Sequence, residues 1–306
     1  MLGLFGSELW VFQVVCPVGC SIIIPSFEIF SGVADERITE LSSMPQFLYN
    51  YFMTTNFYDK VAKKFGGYAY GKSHVEHLSK YPNGDPEKIF KTKLLSLAGK
   101  NKIALDAGCG DGKFAFQIAR HFLSITGIDL SKELLEIARQ KQKILKTKNV
   151  TFEFQDASKT SFSNKSFDVI FSRRGPTPFS EFYRLLKIGG YFVGINIGEQ
   201  DCQDIKEIFG RGQGFGQWNN SRLEKDKQEL KSLGFEIVFT QNYFYNEYYS
   251  SYEDLDLFLQ GVPIFEDFDS KKDKKYLEKY VSKFMTEKGI KFPRHRVVLV
   301  AKKPNK

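Results

Sequence analysis

Two rhythms of apolar and polar positions alternate along the middle of the chain, and each change of rhythm marks an element. Apolar runs at 102–106, 124–129, 149–154, 167–172 and 190–197 predict strands buried on both faces. Between them, apolar residues recurring every three or four positions predict helices over 113–122, 132–145 and 178–187. Ahead of them a helix is predicted over 86–98, with Asp85 as N-cap and Pro86 in the first turn; Ser131, followed by Glu133, is expected to cap the helix at 132–145. Helices near 200–209 and 221–233, a strand from Phe235 to Thr240 and a last strand from Arg296 to Ala301 complete the pattern. Such alternation predicts an α/β protein, a mostly parallel sheet with helices on both faces.

Outside this core the pattern changes character. Phe57, Tyr58, Val61, Ala62 and Phe65 recur at helical spacing and are followed by Gly66-Gly67 and a polar, aromatic loop from Tyr68 to His77. Residues 53–100 are therefore expected to form a helical lid. Residues 1–52 hold one basic residue against five acids, and Met53-Thr54-Thr55-Asn56 reads like a natural start, so this leader is expected to be dispensable or poorly ordered. The core is expected over 101–242. Tyr243, Phe244, Tyr245, Tyr248, Tyr249 and Tyr252 open a segment, 243–293, expected to be an aromatic-rich helical insertion before the last strand and tail, 294–306.

Composition narrows the class. The 306 residues contain no uninterrupted apolar run of 18, and the nearest candidate, Leu9 to Pro25, is broken by Gln13, Pro17, Gly19 and Ser21 with no basic residue before it. Neither a membrane span nor a secretory signal is expected. Cys16, Cys20, Cys109 and Cys202 are too few and too scattered for a disulfide framework, which fits a reducing cytoplasm. No second Cys/His pair accompanies Cys16 and Cys20, so no metal is expected. The formal charge of +8 raises the question of nucleic acid, but the lysines are dispersed over predicted helix surfaces instead of forming one stripe.

The candidate chemistry begins at Ile103-Ala104-Leu105-Asp106-Ala107-Gly108-Cys109-Gly110-Asp111-Gly112-Lys113-Phe114, a buried strand breaking into a glycine-rich turn that opens a helix. Glycines at 108, 110 and 112 let the backbone turn tightly and bring its N–H groups close to a ligand at the helix start. A dinucleotide fold usually takes G-x-G-x-x-G, which would put a glycine where this chain has Lys113; the pattern here is G-x-G-x-G. Together with Asp106 before it and Gly127-Ile128-Asp129-Leu130 ending the next strand, it resembles the cofactor motif of class I S-adenosylmethionine-dependent methyltransferases.

The resemblance implies a Rossmann-like seven-stranded, mostly parallel sheet with S-adenosylmethionine as cofactor and an N-terminal helical lid over the pocket, which makes Tyr58, Tyr68, Tyr70 and His74 pocket candidates. It implies that Asp106 pairs with the cofactor ammonium and that the loop of Gly108, Gly110 and Gly112 accommodates its methionine and ribose. Asp129 would accept the ribose hydroxyl protons, Leu130 would lie against the adenine, and Asp156 with Ala157 would meet the adenine edge. Ser172, ending the fourth strand, counts with these contacts.

Ser172-Arg173-Arg174-Gly175-Pro176 should face the acceptor, because ligands in this fold bind outside the carboxyl ends of strands. Arginine forks recognise carboxylate or phosphate, so Arg173 and Arg174 are substrate candidates, as is Arg211 in the glycine-rich stretch Phe209 to Gly216. The segment lacks the Asn/Asp-Pro-Pro-Tyr/Phe sequence of enzymes that methylate base amino groups, and no Pro-Cys nucleophile is present. The acceptor is therefore expected to be a small molecule, with RNA or a non-catalytic cofactor-binding role as alternatives. Arg173, Arg174, His74 and Tyr70 are the candidates for a catalytic part, and His77, His121 and His295 complete the histidines.

Overall fold

A computed structural model describes residues 11–15, 21–25, 57–67 and 77–305. The first of two compact units, Met1–Tyr49, contains strands Val11–Val15 (β1) and Ser21–Pro25 (β2), which pair antiparallel with Val11 opposite Pro25. The second, Asn50–Lys306, carries everything else. It begins with a helix at 57–65 (α1) that buries Phe57, Val61 and Ala62 and turns Lys60, Lys63 and Lys64 to solvent. A short strand, His77–Lys80 (β3), precedes helix Pro86–Ser96 (α2), whose N-cap Asp85 accepts the Glu87 and Lys88 N–H groups as expected.

The core follows as strand Gly99–Ala107 (β4), helix Lys113–Ile118 (α3), strand Phe122–Asp129 (β5), helix Lys132–Leu145 (α4) and strand Val150–Phe154 (β6). It continues through strand Phe167–Arg173 (β7), helix Phe179–Leu185 (α5) and strand Leu186–Ile197 (β8). Helices Gln203–Phe209 (α6) and Arg222–Ser232 (α7) lead to strand Glu236–Tyr249 (β9), helices Tyr252–Gln260 (α8) and Lys274–Phe284 (α9), and strands Met285–Thr286 (β10) and Gly289–Lys302 (β11). The strand order is β3-β9-β11-β8-β7-β4-β5-β6, with β10 folded back on β11. From β8 to β6 every pairing is parallel, and β11 runs antiparallel to both β8 and β9. Seven strands are the expected ones; β3 and β10 bring the described sheet to nine.

Apolar layers lie on both faces. Phe90 and Leu94 of α2, Ala115 and Ile118 of α3, and Leu135 and Ala138 of α4 pack on one, while Phe179 and Phe182 of α5 and Leu230 of α7 pack on the other. Chain order turns back at β4: β5 and β6 continue to one side, β7 and β8 to the other. That reversal opens a crevice between the loops leaving β4 and β7, the usual ligand position in open α/β sheets.

One stretch corrects the expectation. Tyr243 to Tyr249 belong to a 14-residue strand instead of a helical insertion, and Ile290 to Pro293 pair with them in β11, Ile290 opposite Tyr249. The physical reason is a period of two: Tyr243, Tyr245, Glu247 and Tyr249 are buried while Phe244 is exposed, and aromatic side chains favour a pleated, half-buried surface. The inserted helices are α8 and α9. With β9, β11, α6 and the segment after α8 they enclose a third core of Phe209, Tyr249, Phe258, Phe265, Tyr280 and Phe292.

Candidate functional site

The loop after β4 turns on left-handed backbone at Gly108, Gly110 and Gly112, with φ of +79°, +54° and +71°. A Cβ at Gly112 would stand 2.5 Å from Phe152 Cζ, so close packing as well as φ requires glycine there. Gly110 differs. A Cβ there would meet no atom of the described residues within 4 Å, so among them the backbone at this point borders open space. The loop is tied to the next strand: Gly108 and Cys109 N–H groups donate to the Ile128 carbonyl, and Gly110 N–H donates to Asp129 Oδ2 at 2.8 Å. Asp129 Oδ1 also accepts the Ser131 N–H at 2.9 Å, so this carboxylate joins the glycine loop to the N-terminus of α4.

Asp106, at the end of β4, is 3% exposed, and no hydrogen bond or ion pair reaches its carboxyl among the described residues. Burial pushes it up to about 8, opposed by the Arg173 charge and reinforced by Asp129. Asp129 is likewise raised by burial, against its backbone N–H bonds. Leu130 follows it, half-buried. Asp156 is exposed and accepts the Ser158 N–H and hydroxyl at 2.8 Å each, and Ala157 beside it is buried. Ser172 Oγ, buried at the end of β7, has no hydrogen-bond partner among the described residues.

The lid helix reaches the same place. Ser131 Oγ, which caps α4, donates to Asp59 Oδ1; Lys63 lies 3.4 Å from Glu133; and a Cβ on Gly67 would stand 2.9 Å from Asp111 Oδ2. Asp59 had no signal in the sequence, because its partner lies 72 residues away. Tyr58 stacks edge-on with Phe57. Tyr68, Tyr70 and His74 lie outside the described residues, as does the leader apart from 11–15 and 21–25.

The arginines are corrected in part. Arg173 Nε donates to Glu87 Oε2 at 2.9 Å and Arg174 Nη1 donates to Glu87 Oε1, so a helix residue that sequence reasoning missed holds both. Burial raises the Glu87 carboxyl, but Arg174 and Arg173 outweigh it and hold it at about 2. Arg174 is turned inward at 9% side-chain exposure with its N–H on the Ile195 carbonyl, whereas Arg173 keeps 31%. Arg211 is no free clamp: it donates to Asp267 and to both oxygens of Asp273, and lies over Phe209 and Phe265. It anchors the loop onto the insertion instead. Arg222, starting α7, reaches Thr177 Oγ1 at 2.8 Å and Asp226, and its N–H reaches Glu199.

No described histidine stands in the crevice as a ready base. His77 stacks on Tyr249, and His121 immediately precedes β5, at the end of the strands opposite the crevice. His295 is fully buried, with Nε2 3.0 Å from Asn242 Oδ1, and burial lowers its affinity for a proton against the pull of Glu199 and Asp201. No cluster of metal-ligating side chains occurs among the described residues.

Sheet order, glycine turn and acid-ended strands define a Rossmann-like cofactor-binding domain. Residues 98–247 match a family model described as a methyltransferase domain. Phosphoethanolamine N-methyltransferase 3 of Arabidopsis thaliana is 37% identical over 105 residues, 32% of this chain and 21% of that protein. A demethylmenaquinone methyltransferase of Leptospira interrogans is 29% identical over 163 residues, 48% of this chain and 61% of that one. The chain thus spans less than two thirds of these relatives. A solved structure of a putative methyltransferase from Bacillus halodurans shares the fold, with a TM-score of 0.51, 21% identity, and coverage of 70% of this chain and 98% of that one. Residues 98–247 are thus a methyltransferase domain of the class I S-adenosylmethionine-dependent type.

Proposed function

We propose that the protein transfers a methyl group from S-adenosylmethionine to a small-molecule acceptor. The observation that carries this reading is the pairing of open space at Gly110 with a buried, unpartnered carboxyl at Asp106. These residues fit the cofactor's polar ends: Asp106 would hold the ammonium, Asp129 the ribose hydroxyls, Gly108 to Gly112 the chain between them, Leu130, Asp156 and Ala157 the adenine, and Ser172 a further polar contact. When bound, the cofactor supplies a methyl already activated by a sulfonium leaving group. What remains for the protein is alignment and exclusion of water, which require no dedicated acid or base.

A small acceptor is favoured over RNA by the arginines around the crevice. Arg173 and Arg174 share Glu87, Arg211 is held by Asp267 and Asp273, and Arg222 by Asp226, so the described arginines do not form a phosphate-tracking stripe. The named relatives, called after phosphoethanolamine and demethylmenaquinone, support the same choice. The test is incubation of the full chain with methyl-labelled S-adenosylmethionine and two acceptor pools, small metabolites and total RNA. Label entering a small molecule, with matching S-adenosylhomocysteine, is expected. Label confined to RNA, or no turnover with either pool, contradicts the reading.

A further inference from the structure

We propose that Arg173 docks a single anionic group of the methyl acceptor, a phosphate or a carboxylate, at the crevice mouth, with Glu87 and Phe114 holding its guanidinium in place. The inference rests on the methyltransferase reading of the same site.

Three observations separate Arg173 from the other arginines of the region. Its Nε is engaged by Glu87 at 2.9 Å, while its two terminal nitrogens have no hydrogen-bond partner among the described residues. They form the end of the planar fork that meets two oxygens of a carboxylate or phosphate at once. Second, the guanidinium carbon lies 5.4 Å from the centre of the Phe114 ring, in the first turn after the glycine loop, so the plane is held by a cation–π contact as well as by Glu87. Third, the side chain keeps 31% exposure where that of Arg174, on the same carboxylate, keeps 9%.

Position agrees. Arg173 ends β7 two residues past Phe171, which lies opposite Asp106 in the neighbouring strand, and its charge is felt by Asp106. An anion bound there stands across the β4–β7 reversal from the glycine loop, on the side left for an acceptor. Glu87 is a positioning residue: it occupies Nε and leaves the terminal pair unengaged among the described residues.

The test is thermal melting of the full chain saturated with S-adenosylhomocysteine, titrated with sodium phosphate or sodium acetate against sodium chloride at equal ionic strength. Phosphate or acetate is expected to raise Tm at least about 2 °C above chloride in the wild-type protein. The larger response tells a phosphate acceptor from a carboxylate one. Arg173→Met should abolish the increment and Arg173→Lys should keep under half of it, while both hold S-adenosylhomocysteine within about threefold of wild type. Equal increments in wild type and Arg173→Met, or no increment over chloride, overturn the proposal. A tenfold loss of S-adenosylhomocysteine affinity in both variants also overturns it, because Arg173 would then serve the cofactor's own carboxylate. Absence of S-adenosylhomocysteine protection in the wild type overturns the cofactor reading and this inference together.

Discussion

Asp201→Ala is expected to cost about 3–5 kcal/mol of stability, the usual price of leaving buried charges uncompensated. Asp201 is 2% exposed and accepts Arg294 Nε at 3.0 Å, the His295 N–H at 2.9 Å and Arg296 Nη1. Arg294 continues to Glu247 at 2.7 Å, which also receives the Tyr249 hydroxyl. The cluster pins the extended β9–β11 hairpin to the loop after β8. Burial raises the Asp201 carboxyl, but Arg294 and Arg296 outweigh it and hold it far below the ordinary carboxylate range. A folded-state value depressed in this way contributes stability that is present above about pH 4 and lost as pH falls toward the folded value. The deficit of the variant should therefore be constant from pH 6 to 8 and shrink in acid. Chemical denaturation monitored by circular dichroism measures it; a loss below about 1 kcal/mol would mean that the two arginines find other partners.

The second large effect has the opposite sign. Asp106→Asn is expected to stabilise the ligand-free protein while removing its affinity for S-adenosylhomocysteine. Burial raises the Asp106 carboxyl to about 8, so the folded state binds this proton more tightly than the unfolded chain does. Wild-type stability then falls as pH rises from about 4 to about 8, and the variant is spared that loss. The two proteins should melt nearly alike at or below about pH 4, with the variant ahead by about 2 kcal/mol or more at pH 9. A cationic ammonium needs the ionised carboxylate, so wild-type affinity should rise with pH up to about 8 and that of Asp106→Asn should be weaker by at least about tenfold. Melts across pH, with and without S-adenosylhomocysteine, decide it. Retained affinity, or a variant less stable at every pH, would show that Asp106 serves the fold.

How much of this was legible in the sequence depended on whether a residue's role is local. Glycine at 108, 110 and 112 answers to backbone geometry within one turn, and Asp85 and Ser131 cap the helices that follow them directly, so spacing alone exposed them. Strands β4, β5, β7 and β8 are largely buried and read as apolar-rich runs, while the edge strand β6 alternates, with Thr151 and Phe154 exposed. The aromatic run at 243–249 carried its own period of two, but the weight of tyrosines drew attention to composition instead of alternation, and the strand was missed. Charge pairing was not legible. Glu87 looks like an ordinary first-turn acid, and its arginines lie 86 and 87 residues away; Asp201 gathers partners 93 to 95 residues on. Such contacts come from the sheet order, which brings β7 beside β4 and β11 beside β8, and leave no periodic trace.

The central claim is that the open space at Gly110 is where the cofactor lies. Titration calorimetry of S-adenosylhomocysteine into wild type and Gly110→Asn tests it most directly. Asparagine tolerates the left-handed φ of +54°, and its side chain would enter space where no atom of the described residues lies within 4 Å of the Cβ. One site per chain in the wild type, weakened at least about tenfold in a variant whose unliganded melting is unchanged within about 3 °C, is the predicted result. Equal affinity in both proteins, or no binding to either, would contradict it.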